Sequence, residues 1–425
     1  MTVTPGGEGA RSSMKLGING LGRIGKLTLW HHVARRYFSE LVVNIGRPAG
    51  RDIGDIARYI ERDSTYGQLG RYLYGHQAGR IIEDLNEEHG TMVVNGVPVR
   101  VLRQERNPKD IPWKAQGVEL VVDTTGKFLD PTAPPDYRGG SLQGHFHGGA
   151  RKVILSAPFS IKEKSAKMPE EAKTLIVGIN DEAYDPQKHR LISGASCTTT
   201  CLAFMVKPLL DYFGADKILT SSMVTVHAAT GSQEVLDRLP DAKGKDLRKN
   251  RAVFNNIILT STGAAKALSL VIPEMQRIGF IAESVRIPTS TGSLIVLVLN
   301  IQDESLQRPI NREIINGIYR QAAEGYMKGY LMFSEDQNVS SDIIGIPRAA
   351  AIIEGNETHT RTAQICVDLA KLPKMPFENF KPEGGACVAE IPITQVVVYG
   401  WYDNELGSYT NMLGDLTVKI AESMA

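Results

Sequence analysis

The sequence lacks the features typical of membrane, secreted and nucleic-acid-binding proteins. No apolar run approaches the roughly 18 residues that would span a bilayer, and 4 cysteines in 425 residues are too few and too scattered for a disulfide framework. The 48 Lys and Arg nearly cancel the 47 Asp and Glu, so no basic excess indicates a polyanionic partner. Residues 1–13 contain no apolar segment and predict a flexible tail rather than a signal peptide. Together these absences favour a cytoplasmic protein that binds neither membrane nor nucleic acid.

One cysteine lies in a setting that favours reactivity. Cys197 stands between Ser196 and Thr198, at the start of an apolar run that predicts a helix. Unpaired N–H groups and the dipole at a helix N-terminus stabilise an anion and lower a cysteine pKa. His227, in a β-branched run that predicts a strand, is the candidate cation beside it. Cys197 is therefore the predicted nucleophile, whereas Cys201 is predicted to be a buried core residue.

A glycine-rich loop near the start of the chain predicts a dinucleotide-binding unit. Gly20, Gly22 and Gly25 follow a short apolar strand and open a stretch of helical character, and a second apolar strand follows at 41–43. Glycines there allow a tight turn, and the helix N-terminus faces a pyrophosphate. The alternative is a glycine turn in another α/β unit, but the second strand favours dinucleotide binding.

The acidic residue that usually selects NAD is missing. It should close the second strand and bond the ribose 2′-hydroxyl, but the chain reads Asn-Ile-Gly-Arg at 44–47 and reaches Arg51 and Asp52 only later. Arg47 or Arg51 could meet a 2′-phosphate, unless both are solvated or a loop folds Asp52 back. The sequence therefore predicts NAD or NADP as cofactor, with a lean to NADP or dual use.

Further strands are predicted at 118–122 and 152–155, each ending in small hydroxyl residues, and at 175–179. Between them lies a loop rich in Pro and Gly, 131–149, which contains His145 and His147. Two histidines at alternate positions can bind a metal, but the sequence offers no third ligand nearby. We therefore predict a loop and no metal site.

Several segments, in a fixed order along the chain, resemble one enzyme family. They are 19–26 with the glycine loop, 63–67, 104–113, 193–202 with Cys197, 225–230 with His227, 261–267, 339–342 and 401–405. Together they resemble phosphorylating glyceraldehyde-3-phosphate dehydrogenases, from Met14 to the C-terminus. Any one match is weak, whereas the ordered series is specific.

The resemblance implies an α/β fold with two domains. A Rossmann-type NAD(P)-binding domain would occupy 14–195 and be completed by a C-terminal helix at 405–425. An α+β catalytic domain with a mixed or antiparallel sheet would occupy 196–404, with an insertion at about 362–393 that looks like a loop. The charged stretch 230–251 would pack across a subunit interface, which implies a homotetramer.

The resemblance also assigns roles to individual residues. Residues matching the family's cofactor site are Gly20, Gly22, Arg23, Ile24, Gly25, Arg47, Arg106, Thr125, Gly126, Ser156 and Asn404. Residues matching its inner phosphate site are Ser196, Thr198, Thr262 and Gly263, and those matching its outer phosphate site are Thr230, Ser232 and Arg286.

These residues specify a predicted reaction. Cys197 would attack D-glyceraldehyde 3-phosphate, and His227 would hold the thiolate and then take the hydroxyl proton as the thiohemiacetal is oxidised. Inorganic phosphate would release the resulting thioester as 1,3-bisphosphoglycerate. Two alternatives remain: erythrose-4-phosphate dehydrogenase activity on the same fold, and a non-catalytic nucleotide-binding paralogue. The intact stretch 261–266 favours the triose, and the intact Cys–His pair argues against the paralogue; glycolytic or gluconeogenic direction stays open.

Three positions near the centre depart from the family pattern. Gly194 and Thr200 stand where the family usually has Asn, and Ser232 stands where it usually has Thr. Because nucleophile, base and hydroxyl count are kept, we expect activity to survive.

Overall fold

The chain folds around two β-sheets with helices packed against them. The computed structural model describes residues 12–163, 165–240, 244, 246–304, 306–368 and 388–425. The elements up to residue 195 are β1 (Lys15–Asn19), α1 (Arg23–Arg35), β2 (Glu40–Asn44), α2 (Ile53–Glu61), β3 (Arg62–Asp63), β4 (Gly67–Gln68), α3 (Leu69–Tyr74), β5 (Ile82–Asn86), β6 (Thr91–Val94), β7 (Val97–Leu102), α4 (Trp113–Gln116), β8 (Val118–Asp123), α5 (Gly144–His147), β9 (Lys152–Leu155), β10 (Ala172–Thr174) and β11 (Leu191–Ser193). Those that follow are α6 (Cys197–Phe213), β12 (Ile218–Ala228), β13 (Ile258–Ser261), α7 (Ala264–Val271), β14 (Gly279–Ile287), β15 (Ser293–Gln302), α8 (Arg312–Glu324), β16 (Leu331–Ser334), α9 (Ser340–Ile343), β17 (Ala351–Glu354), β18 (His359–Asp368), β19 (Val388–Tyr402) and α10 (Asn411–Glu422).

The first sheet is parallel at its centre. Its strand order is β10-β11-β9-β8-β1-β2-β7-β6-β5, and only the pairings of β6 with β7 and with β5 are antiparallel. Strands β1, β2 and β8 are buried along most of their length, which explains their nearly continuous apolar sequences. Their carboxyl ends lie at one edge, where the glycine loop leaves β1 and enters α1.

The second sheet is mixed. Its order is β13-β14-β12-β15-β19-β17-β16, with β18 also paired to β19, and β12 runs parallel to β14 but antiparallel to β15. Burial alternates along β15, so one face of the sheet is covered and the other is open. Helix α6 packs on the covered face within the main apolar cluster. The predicted fold class, an α/β dinucleotide-binding unit with an α+β unit, is confirmed.

The last helix returns to the first sheet. His31 Nδ1 of α1 lies 2.8 Å from Asn411 Oδ1 of α10, and Arg35 forms an ion pair with Asp415. A Cβ on Gly414 would lie 2.2 Å from the His31 ring, so glycine permits the two helices to approach closely.

One secondary-structure prediction is wrong. The strand expected at 175–179 is a turn, because Asn180 binds the backbone: its Oδ1 accepts from Ile176 N–H at 2.8 Å and its Nδ2 donates to Thr174 O at 3.0 Å. The strand there is β10 instead, three residues earlier. The insertion expected at about 362–393 stays a prediction, and its two ends are strand, since β18 and β19 pair from 359 to 368 and from 388 to 397. Its centre, 369–387, lies outside the described residues.

The predicted tail, 1–13, lies outside the described residues except for its last two. Ser12 N–H donates to Tyr37 O at 2.9 Å, and Ser13 O accepts from Ser39 Oγ at 2.8 Å. Among the described helices, none combines the length and apolar character needed to cross a bilayer.

Candidate active site

Cys197 is the first residue of α6. Ser196 caps the helix, because its Oγ accepts from Thr199 N–H at 3.2 Å. The apolar sequence that follows continues as a helix of 17 residues. Cys197 thus lies at a helix N-terminus and is partly exposed, whereas Cys201, one turn later, is fully buried, as predicted for a core residue.

His227 lies opposite Cys197, near the end of β12. Its Nε2 is 3.5 Å from Cys197 Sγ. β12 is paired on both sides, with β14 and with β15, so a rigid strand holds the imidazole. The structure therefore brings together the residues predicted as nucleophile and base.

Burial shifts the pKa of both groups towards the neutral form. Burial raises the pKa of the Cys197 thiol, although the charge of Arg286 and hydrogen bonds from Thr198 oppose the shift. Burial and the same Arg286 charge lower the pKa of His227 to about 4. The predicted thiolate beside a histidine cation stays a prediction. Burial opposes the charged form of both groups, and the sequence shows the helix dipole but not this loss of solvation.

The other ring nitrogen of His227 has two competing partners. Nδ1 lies 2.7 Å from Ala228 O and also contacts Nη1 of Arg286, which donates to that carbonyl at 3.1 Å. If Nδ1 accepts from Arg286, the proton is on Nε2 and points to the sulfur. If Nδ1 donates to Ala228 O, Nε2 has a free lone pair. His227 can therefore act as a base only when Arg286 releases Nδ1.

The outer-phosphate residues follow the ends of neighbouring strands. Arg286 on β14 is the register partner of His227. Thr230 and Ser232 lie just beyond the end of β12, with their hydroxyl oxygens 3.1 Å apart. Arg286 Nε is buried and has no hydrogen-bond partner among the described residues, so the guanidinium retains donor capacity for an anion.

The inner-phosphate residues lie at two helix N-termini. Ser196 and Thr198 begin α6, and Gly263 is the N-cap of α7, directly after Thr262. The Thr198 hydroxyl is paired with Tyr402 OH at 2.9 Å. Helices α6 and α7 pack together, and each N-terminus offers backbone N–H groups of the kind that bind anions.

Asn404 is fixed by hydroxyl groups. Its Oδ1 accepts from Thr291 Oγ1 at 3.1 Å and from Ser293 Oγ at 2.9 Å. Ser293 Oγ also accepts from Ala228 N–H at 3.0 Å, which links Asn404 to the residue after His227. Asn404 Nδ2 has no partner within the described part of the chain and remains available as a donor.

A cavity of about 630 Å³ lies at the carboxyl edge of the first sheet. The predicted cofactor residues that line it are Gly20, Gly22, Arg47, Arg106 and Thr125. Gly20 has φ +99°, and a Cβ on Gly25 would lie 2.1 Å from Gly20 O. The first and third glycines therefore have the geometric roles that the loop motif assigns them, and the cavity fits a dinucleotide.

The other predicted cofactor residues lie near the same edge without lining the cavity. Arg23 and Ile24 begin α1, and Gly126 has φ +64°. Ser156 follows β9, and its N–H donates to Asp123 O at 2.9 Å. Since the Arg23 guanidinium forms ion pairs with Asp63 and Glu405, Arg23 offers a pyrophosphate only its backbone N–H.

The side chains of Arg51 and Asp52 both bind within the start of α2. Asp52 is the N-cap of α2, with its side chain accepting from Asp55 N–H at 2.9 Å. Arg51 Nε then donates to Asp55 Oδ2 at 3.0 Å. Neither residue lines the cavity, whereas Arg47 does, so Arg47 is the better placed of the two arginines for a 2′-phosphate.

Sequence reasoning missed two further cations at this cavity. We call the four that line it, Arg47, Arg106, Lys127 and Arg138, the cationic rim. None of them has an ion-pair partner among the described residues, and no described lining residue is Asp or Glu. The one sequence feature that could have indicated Lys127 and Arg138 is a basic residue after a strand of the dinucleotide-binding unit. That feature is too common to be specific.

The two histidines of the segment 131–149 lie on the short helix α5 and differ in burial. His145 is buried, with Nε2 3.0 Å from Asp123 Oδ2 and Nδ1 accepting from Trp113 Nε1 at 2.9 Å. His147 is exposed. Within the described ranges, no group of His, Cys, Asp and Glu has the arrangement of a metal site.

Comparison with known proteins decides the family. Residues 14–131 match the model of the NAD binding domain of glyceraldehyde 3-phosphate dehydrogenase, and residues 196–370 match that of its C-terminal domain. A relative named glyceraldehyde-3-phosphate dehydrogenase 2 from Streptomyces avermitilis is 36% identical over 415 residues, which cover 97% of this chain and 100% of the relative. Glyceraldehyde-3-phosphate dehydrogenase 1 from Bacillus subtilis is 35% identical over 413 residues, covering 96% and 99%.

The chain belongs to the glyceraldehyde 3-phosphate dehydrogenase family. It is thus an oxidoreductase with an NAD-binding domain of that family. One departure from the family pattern also has a physical explanation: a Cβ on Gly194 would lie 2.6 Å from Leu413 Cδ1. A larger residue at position 194 would require the Leu413 side chain of α10 to shift.

Proposed function

We propose that the protein oxidises D-glyceraldehyde 3-phosphate to 1,3-bisphosphoglycerate, using inorganic phosphate and NAD or NADP. The observation that carries the proposal is the Cys197–His227 pair, with Sγ and Nε2 3.5 Å apart at the N-terminus of α6. A nucleophile and a base within contact of each other on rigid elements suit covalent catalysis.

The residues divide the work as follows. Cys197 Sγ attacks the aldehyde carbon, and its proton passes by way of His227 to the new hydroxyl group. A nicotinamide ring held by Asn404 would supply the acceptor for the hydride that leaves that carbon. His227 Nε2 takes the hydroxyl proton as the thiohemiacetal becomes a thioester, and phosphate then displaces the Cys197 thiolate to release the acyl phosphate.

Arg286 couples phosphate binding to this chemistry. Its guanidinium contacts His227 Nδ1 and keeps the pKa of the imidazole low. An anion that draws Arg286 towards Thr230 and Ser232 frees Nδ1 to donate to Ala228 O. The base at Nε2 then becomes available only when a phosphorylated ligand is present.

For the cofactor, the cationic rim supports NADP use or dual use. Ile45 stands where an acidic residue would bond the ribose 2′-hydroxyl, and Arg47 lies two residues further along the same cavity. An exposed arginine beside the ribose can pair with a 2′-phosphate dianion.

We further propose a cytoplasmic homotetramer. In the stretch 230–251, Val235, Leu236 and Leu239 are 62%, 77% and 87% exposed. Exposed apolar side chains on a contiguous segment are typical of a subunit interface. Light scattering of the purified chain tests the assembly: a tetramer mass is expected, and a monomer mass would reject it.

The decisive experiment is the initial rate with D-glyceraldehyde 3-phosphate, under NAD and then NADP, with and without phosphate. A phosphate-dependent rate that is lost in Cys197→Ser is expected. The same assay with erythrose 4-phosphate tests the alternative substrate, and a larger rate there would displace the triose. No rate with either substrate would reject the dehydrogenase.

A further inference from the structure

Arg138 reaches the dinucleotide cavity from a loop outside the family match. The match to the NAD binding domain ends at residue 131, where the loop 131–149 begins. Arg138 and Gly139 of this loop nevertheless line the same cavity as Gly20, Gly22 and Arg47.

The loop holds Arg138 in a defined position. Two turns enclose the residue, since Tyr137 N–H donates to Pro134 O at 3.1 Å and Gly140 N–H donates to Tyr137 O at 2.8 Å. Gly140 has φ +82°, and a Cβ there would lie 2.5 Å from the Phe128 ring. The turn therefore requires glycine and packs directly against a residue that lines the cavity.

The base of the loop is also fixed. Ser141 Oγ donates to Pro134 O at 2.8 Å, and Gln143 Nε2 donates to Pro131 O at 2.9 Å. Buried His145 then ties the loop to Asp123 at the end of β8. These contacts hold the loop against the protein, so that it forms part of the cavity wall instead of extending into solvent.

The cavity contains more cationic side chains than are required to bind the pyrophosphate of a dinucleotide. The pyrophosphate is expected at the N-terminus of α1, beside Gly20 and Gly22. The cationic rim adds Arg47 and Arg106, which follow the neighbouring strands β2 and β7, and Lys127 and Arg138, which follow β8. Cations that follow strands on both sides of β1 thus line this cavity, and none has an ion-pair partner among the described residues.

We propose that Arg138 is a specificity-determining residue that selects a dinucleotide carrying a phosphomonoester on the adenosine ribose. This inference rests on the proposed cofactor use. Arg47 and Arg138 bind the 2′-phosphate from opposite flanks of the cavity, and the loop 131–149 is the element that adds the second cation.

The test is calorimetric titration of the full chain with adenosine 2′,5′-bisphosphate and with adenosine 5′-monophosphate, which needs no turnover. In Arg138→Gln, affinity for the bisphosphate is expected to fall about tenfold, whereas affinity for the monophosphate changes less than twofold. Arg138→Lys, which keeps the charge but loses the bidentate geometry, should lie between. Arg151→Gln, at an exposed arginine paired with Glu119, is the matched control and should bind like the wild type.

The outcomes separate this inference from the proposed cofactor use. If the wild type binds both probes equally, the lean to NADP itself is wrong. If the wild type prefers the bisphosphate and Arg138→Gln keeps that preference, Arg138 does not select. Equal weakening of both probes would mean that Arg138 stacks on adenine, which also overturns the proposal. Thermal unfolding of each variant checks that the fold is retained.

Discussion

The catalytic centre and the cationic rim treat charge in opposite ways. At the centre, burial raises the pKa of Cys197 and lowers that of His227, and each has a partner inside the protein. At the rim, exposed Arg47 and Arg138 have no ion-pair partner among the described residues. The centre is built on a helix N-terminus and paired strands, whereas the rim is built on loops that follow strands. The contrast teaches that the chemistry tolerates little change, while cofactor choice can vary by loop substitution.

The largest fall in activity is expected from a substitution in the catalytic centre. His227→Asn removes the base, so kcat is expected to fall by about 10² to 10⁴. The fall should be the same with NAD and NADP, because His227 lies away from the rim. Steady-state rates under both cofactors measure it, with His147→Asn, an exposed histidine, as the control. A loss of kcat that differs between NAD and NADP would show that the catalytic centre and the cationic rim do not act independently.

The next effect should come from the rim alone. Ile45→Asp restores a carboxylate that bonds the ribose 2′-hydroxyl and repels a 2′-phosphate. The ratio of kcat/KM for NADP over NAD is expected to fall by about tenfold to a hundredfold. Ile45→Val is the uncharged control. An unchanged ratio would show that the adenosine ribose lies elsewhere.

Arg286 should connect charge to the thiol in a measurable way. Its positive charge lowers the pKa of both Cys197 and His227, so Arg286→Gln should raise both. The pH midpoint of Cys197 alkylation by iodoacetamide should move up by about one unit, with about tenfold slower reaction below it. Exposed Arg277→Gln serves as the control. A downward movement would contradict the sign of this electrostatic coupling.

The smallest effect is expected at Arg51. Because its guanidinium is paired with Asp55 and it does not line the cavity, Arg51→Gln should change the KM for either cofactor less than about twofold. A selective rise in the KM for NADP would mean that the rim extends beyond the four cations.

Local patterns were sufficient for some of these residues. The positions of the glycine loop, Cys197 and His227 in a turn, a helix and a strand could be predicted, because each depends on a short local sequence. Arg51 and Arg138 could not be ranked, because their positions depend on loop paths. Asp52 caps α2 and leaves Arg51 beside Asp55, while buried His145 draws the loop of Arg138 to the sheet.

The sequence was also silent on solvation and on side chains far apart in the chain. It could not show that burial raises the pKa of Cys197, or that Asn180 folds back to end a strand at Thr174. Nor could it show that the Leu413 side chain, over two hundred residues later, packs beside Gly194.

The return of α10 to α1 has a consequence for the order of events during synthesis. Arg35 and Asp415, which join the two helices, are 380 residues apart. At about 5 to 20 residues per second, the ribosome needs on the order of 20 to 80 seconds to make the intervening chain. Until then the nascent dinucleotide-binding unit exposes the apolar surface that Leu413 and Leu416 later cover. A chain that ends before α10 is therefore expected to expose an apolar surface that chaperones bind, because the dinucleotide-binding unit is incomplete without this helix.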